Sequence, residues 1–160
     1  MATTRSSTLY TNQVTNKYLQ DARDYKGRLV PIWFEHTVVS GETGGASAGV
    51  HDKVNLCVLP ANCKVVGLDF VSNDVWASAA LNGTLQLGDS GDDDRYMVAT
   101  ELYTAAGSPI TGDGKQVAQL AFAGMGYEPT ADTVVFGVWK VANPVVGKII
   151  KGFFTVIPGA

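Results

Sequence analysis

The chain has 160 residues, 46% of them hydrophobic and 17% charged, and a formal net charge of -3. That length supports one domain with a real core and is short for two. The acidic balance excludes general nucleic-acid binding, which needs a basic surface to neutralise phosphate, and the Lys and Arg residues are scattered along the chain. No apolar run approaches the ~18–20 residues of a membrane-spanning helix, and the amino terminus lacks the apolar core of a signal peptide. The expectation is a protein made in the cytoplasm without export and with no membrane partner. Eighteen glycines among many Val, Thr and aromatic residues favour a turn-rich β protein.

Residues 1–28 are polar and carry Tyr10, Tyr18 and Tyr25 at wide intervals. This is the composition of an arm, and residues 29–160 are expected to form the domain. Within the arm, Asn16 can cap a short helix with Tyr18, Ala22 and Tyr25 on one face and Gly27 at its end. Spaced tyrosines on a polar arm suit docking on a partner, since each ring brings contact area with a hydrogen-bonding tip. An arm folded back on its own domain fits the composition equally.

Leu29 to Ser40 is apolar and β-branched, with Pro31 near its start suiting an edge strand or a strand entry. Gly41 to Val50, with four glycines, is expected to be a mobile loop that orders on binding. Lys53 to Leu59 alternates, setting Val54, Leu56 and Val58 against Lys53, Asn55 and Cys57, and Pro60, Ala61 and Asn62 turn the chain. Lys64 to Val71 follows with Val66, Leu68 and Phe70 on one face. Cys57 and Cys63 are too few for a disulfide scaffold or a structural zinc site and read as buried free thiols.

The most informative stretch is Ala79 to Arg95. Leu81, Leu85 and Leu87 share one face, and Asn82, Thr84 and Gln86 the other, which is the pattern of a half-buried strand. An acidic loop from Gly88 to Asp94 is expected to end it. Arg95 to Ala106 fits neither period and reads as a short helix or an irregular strand. Gln116 to Ala123 offers a further strand. Thr133 to Val141 is apolar on both faces, as in a central strand or one whose outer face meets another subunit. Lys148 to Ile157 is the last strand, with Ile150, Phe154 and Val156 on one side. About seven or eight strands at roughly ten-residue spacing indicate an all-β, single-domain antiparallel β-sandwich, jelly-roll-like.

The acidic loop offers hard oxygens, and Asp89, Asp92 and Asp94 are the candidate calcium ligands. Gly91 falls too early for an EF-hand loop and no glutamate follows at the twelfth position, so an Asp-Gly turn held by side-chain to backbone hydrogen bonds is the favoured reading, with no cofactor. Catalysis has no motif to stand on. Glu35 and His36 point to opposite faces of a strand, His51 has no nucleophile motif beside it, and both histidines read as surface residues. Trp33 and Trp139, inside apolar strands, read as core or interface, whereas Trp76 is expected to be exposed.

Leu87 to Tyr96, the run Leu-Gly-Asp-Ser-Gly-Asp-Asp-Asp-Arg-Tyr, together with the Pro-ended strand from Val54 to Pro60 and the strand through Val65 and Val66, resembles capsid decoration (cement) proteins of tailed bacteriophages, over residues Val54 to Ile157. The resemblance implies a jelly-roll-like sandwich on the outer capsid surface of the virion that clamps neighbouring major capsid protein subunits, as a homo-oligomer, dimer or trimer, and it implies no enzyme. The interface candidates are Tyr10, Tyr18, Tyr25, Trp76 and Trp139. The alternatives are a head-fibre or tail-associated virion protein that binds a glycan through Trp76 or the acidic loop, and a small β-sandwich hydrolase that uses some of Asp89, Asp92 and Asp94.

Overall fold

The computed structural model describes residues 4–6, 29–42, 52–72, 83–103, 116–118, 120–140, 143–144 and 146–159. Nine strands are defined there: β1 (Thr4–Ser6), β2 (Val30–Thr37), β3 (Lys53–Leu59), β4 (Lys64–Ser72), β5 (Gly83–Asp89), β6 (Asp92–Tyr103), β7 (Gln116–Ala118), β8 (Thr133–Trp139) and β9 (Ile149–Ile157). They form two sheets, in the orders β1-β3-β8-β5-β6 and β2-β9-β4-β7.

The pairing has a simple logic. β2 pairs with β9, β3 with β8, β4 with β7 and β5 with β6, each antiparallel. This is one long hairpin whose tip is the β5–β6 turn. Further antiparallel pairings, β4 with β9 and β5 with β8, roll that hairpin into two facing sheets. An eight-stranded double Greek key of this kind is a jelly roll, so the all-β sandwich expected from the spacing is the observed fold. β1 is added outside the roll and runs parallel to β3, with Thr4 opposite Lys53, the one departure from antiparallel pairing among the described residues. Three residues of the amino-terminal segment thus lie on the domain's own sheet.

The core between the sheets is built from the inward face of each strand. Phe34, Phe70 and Phe154 cluster from one sheet, and Leu56, Leu85, Leu87, Tyr96, Met97 and Trp139 meet them from the other. Burying side chains of this size contributes roughly 1.5–3 kcal/mol each against water. The alternation read from the sequence holds for β9, where Ile150, Phe154 and Val156 point inward.

Bulges correct it elsewhere. A register shift between Asn55 and Cys57 turns Cys57 and Leu59 into the core and leaves Val58 on the outer face, against the expected grouping. A shift between Val65 and Gly67 likewise puts Val65, not Val66, inside. A bulge places two residues opposite one and so reverses the phase of everything beyond it.

β8 lies in the middle of its sheet, and its outer residues Phe136 and Val138 are buried along with inward Val135 and Trp139. The central-strand reading is therefore the correct one. β5 beside it is also buried on both faces, since Thr84 and Gln86 are covered too, so it is not half-buried as its alternation suggested. β7 is shorter than the strand expected there, and residues Phe122–Gly124 form a 3-10 turn.

Strand direction sorts the strand ends into two groups. The β3–β4 turn, the β5–β6 turn, the end of β7 and the start of β8 lie at one end; the ends of β2, β4, β6 and β8 and the starts of β3, β5, β7 and β9 lie at the other.

Candidate functional site

The expected acidic loop is much tighter than its sequence suggests. β5 runs on through Asp89, Ser90 and Gly91 make the turn, and Asp92 already begins β6. β6 then extends to Tyr103, which resolves the choice between helix and irregular strand: it is a strand, made irregular by a wide bulge. Leu87 faces Met97 and Asp89 faces Asp92, so residues 93–96 of β6 lie opposite Gly88 alone. A Cβ at Gly88 would overlap the carbonyl groups of Asp92 and Asp93, so only glycine fits under the bulge. The Gln86 Nε2 donates to the Asp93 carbonyl at 2.9 Å and holds the arch from outside.

Asp89 is the centre of this hairpin and is buried. Its Oδ1 accepts from the amides of Gly91 (2.9 Å) and Asp92 (3.2 Å). Its Oδ2 accepts from Arg95 Nε and from the Tyr96 hydroxyl, both at 2.8 Å. Burial alone would raise the carboxyl; the Gly91 amide, the Tyr96 hydroxyl and the Arg95 guanidinium outweigh it and hold it below the usual carboxylate range. Burial against the same carboxylate drives the Tyr96 phenol upward, so it stays a donor. The Arg95 guanidinium lies over the Tyr127 ring at 4.2 Å, and Tyr96 packs edge-on to Tyr127 and Phe154. The run from Leu87 to Tyr96 is therefore a folding device centred on Asp89, both of whose carboxylate oxygens are occupied by internal donors.

Of the calcium candidates, Asp89 is separated from Asp92 and Asp94 by these bonds. The carboxylates that come together are Asp92, Asp93 and Asp94, with ligand atoms within 4.8 Å. Asp93 pairs with Lys140 Nζ at 3.3 Å. A hydrogen bond shared with Asp92, slight burial and repulsion from Asp92 and Asp93 push the Asp94 carboxyl up. The three acids bear on one another and on a lysine, and exposed acids of a turn do this without any ion.

A second buried polar group was not foreseen. Glu42, assigned from sequence to a mobile loop, is 4% exposed. Its Oε1 lies 2.8 Å from His36 Nε2 and accepts from the Val39 amide at 2.8 Å; its Oε2 accepts from Trp139 Nε1 at 3.2 Å. Burial would raise this carboxyl, and the bonds from His36, Val39 and Trp139 bring it below its usual value. Two expectations are corrected by this cluster. His36 is buried against Glu42 instead of lying on the surface, and Trp139 is a fully buried core residue with a structural hydrogen bond, so it is no surface contact.

Cys57 and Cys63 are free and buried, as expected, and burial pushes Cys63 up to about 11 and Cys57 higher still, which leaves both unreactive at neutral pH. Tyr10, Tyr18, Tyr25, His51 and Trp76 lie outside the described residues. Trp33, read as core or interface, is 55% exposed on the outer face of β2, with its ring 4.5 Å from that of Phe153.

No protein-family model and no curated protein matches the chain. Its fold is shared with a chain in the capsid of Ralstonia phage GP4, at 19% identity and a TM-score of 0.68, covering 98% of this chain and 99% of that one. It is also shared with a chain in the capsid asymmetric unit of cyanophage Pam1, at 20% identity and a TM-score of 0.56, covering 84% and 88%. This jelly roll is thus a fold present in phage capsids.

Proposed function

We propose that the chain is a virion structural protein that binds the outer surface of a tailed-phage capsid and stabilises contacts between major capsid subunits. The observation that carries this reading is the likeness to a chain in the GP4 phage capsid, which covers 98% of this chain and 99% of that one. The chemistry agrees with a non-enzymatic role. Among the described residues, the buried carboxylates of Asp89 and Glu42 are saturated by internal donors, the thiols are sealed in the core, and Glu42 is bonded to His36, to the Val39 amide and to Trp139.

In this reading the protein works as a homo-oligomer on the capsid, and Tyr10, Tyr18, Tyr25 and Trp76 belong to its contacts with neighbouring subunits. Many modest contacts made together give an avidity that no one of them has alone. The test is addition of the purified protein to expanded, undecorated capsids. Co-sedimentation and a higher capsid disruption temperature are expected, and absence of both overturns the proposal.

A further inference from the structure

The two sheets differ in what they leave for a partner. In the five-stranded sheet the outer face of the three inner strands β3, β8 and β5 is largely covered: Val58, Phe136, Val138, Thr84 and Gln86 are each 6% exposed or less. In the other sheet the outer face of β2 and β9 is open. On β2, Pro31, Trp33, Glu35 and Thr37 are exposed, and on β9 the alternate residues Lys151, Phe153 and Thr155 are half-buried. Trp33 and Phe153 are register partners whose rings stack at a 50° tilt. A cross-strand aromatic pair stabilises a sheet by itself, but here the indole keeps 55% of its surface in water.

We infer that this face, anchored on Trp33 and Phe153, is the surface by which the protein docks on a subunit of the capsid shell. The inference rests on the proposed capsid role and adds where the contact is made. Trp33 is already held by Phe153, so little side-chain freedom is lost on docking, and a rigid, exposed tryptophan is the commonest kind of binding anchor. Glu35 lies opposite Lys151, and Asp69 lies opposite Phe153 on the other side, so the face carries both signs and no block of positive charge. It suits a protein surface and not an anionic polymer.

The area decides between a shell subunit and a second free copy. Three strands of eight or nine residues span roughly 27 Å by 14 Å, about 400 Å². A stable interface between free proteins needs about 800 Å² per partner. The face is too small to hold a dimer together in solution, and sufficient as one of several contacts on a lattice that already positions the molecule.

The experiment compares wild type, Trp33→Ala, Trp33→Phe and Val98→Ala for binding to expanded, undecorated capsids, well below the melting temperature of each. Val98 is 57% exposed on the other sheet and serves as the control. Trp33→Ala is expected to weaken binding about tenfold or more, Trp33→Phe to restore most of it, and Val98→Ala to leave it unchanged. If wild type binds and Trp33→Ala binds equally well, or Val98→Ala loses as much, this face is not the docking surface although the capsid role stands. Failure of wild type to bind overturns both. Conversion of a free oligomer to monomer by Trp33→Ala gives the face to a second copy and overturns the shell subunit as its occupant.

Discussion

Each end of the roll is closed on a buried carboxylate, and the two closures are built differently. At the end with the tight β5–β6 turn, Asp89 takes all four of its donors from residues 91–96, among them the guanidinium of Arg95, a cation at every accessible pH. At the opposite end Glu42 gathers donors from His36 and Val39 and from Trp139, 97 residues away, and none of these is an arginine or a lysine. The first is a local device that fixes a hairpin. The second is a long-range tie that fastens the start of the β2–β3 connection to the last residue of β8. An end set by local geometry should be the more brittle of the two, and mutations can test that.

The largest effect is expected at Gly88. Its Cβ would collide with backbone at Asp92 and Asp93, which cannot swing aside as a side chain can. Gly88→Ala should cost about 4 kcal/mol or more and yield little folded protein; circular dichroism and a melting curve check it. A melting temperature within a few degrees of wild type would show that the bulge is free to shift.

Asp89→Ala should come next. It strands Arg95, which is 19% exposed, and the buried Tyr96 hydroxyl. Partial exposure of the arginine moderates the loss to about 3 kcal/mol, or roughly 6–12 °C in melting temperature for a domain of this size. The pH dependence gives a second reading. Asp89 and Glu42 both titrate below their ordinary values in the folded state. The unfolded chain therefore binds protons first, and the stability these groups contribute is present above the ordinary carboxylate range and lost as pH falls through and below it. Melting curves between about pH 5 and pH 3 should fall for wild type and fall less steeply for Asp89→Ala. An unchanged slope would mean that Asp89 carries no linked proton.

The same local-versus-distant contrast explains how much could be read from sequence. β9 was legible face by face because its alternation is regular, β3 was legible as a strand although its bulge reverses the faces beyond Asn55, and the strand spacing was enough for a sandwich. The hairpin was half legible: the Asp-Gly turn is visible in Asp89 to Asp92, but the bulge turns Tyr96 and Met97 inward together and erases the period that would have marked β6 as a strand. Glu42 was invisible. It sits in a glycine-rich stretch, and one of its three partners, the indole of Trp139, is adjacent only after the roll has closed. His36 and Trp139 were misplaced for that same reason, since without Glu42 a strand histidine reads as surface and a strand tryptophan as a possible contact.

Glu42→Gln tests the distant tie with little change in shape. One amide oxygen must replace two carboxylate oxygens, and if it keeps the bonds to His36 and Val39 the new NH2 faces the Trp139 Nε1–H. Loss of one charge-assisted bond and a donor-donor clash should cost about 2 kcal/mol, roughly 4–8 °C, less than Asp89→Ala. A larger loss than Asp89→Ala would reverse the ranking of the two ends.

The smallest effect is expected at Gly147, also at the Glu42 end. Its amide donates to the Val38 carbonyl at 2.8 Å, while the Val38 amide donates to Lys148, so two connections are stitched together there. Gly147 has φ of 83°, in the left-handed region, yet a Cβ on it would meet nothing within 4 Å. Gly147→Ala therefore bears only the backbone penalty of an L-residue in that conformation, about 1 kcal/mol, and Gly147→Asn less, because asparagine tolerates it. Both glycines serve a turn or a bulge, but Gly88 is required by contact and Gly147 by torsion alone. Melting curves of the two alanine variants side by side separate these causes: a Gly147→Ala loss approaching that of Gly88→Ala would show that the long-loop end is as tightly packed as the hairpin end.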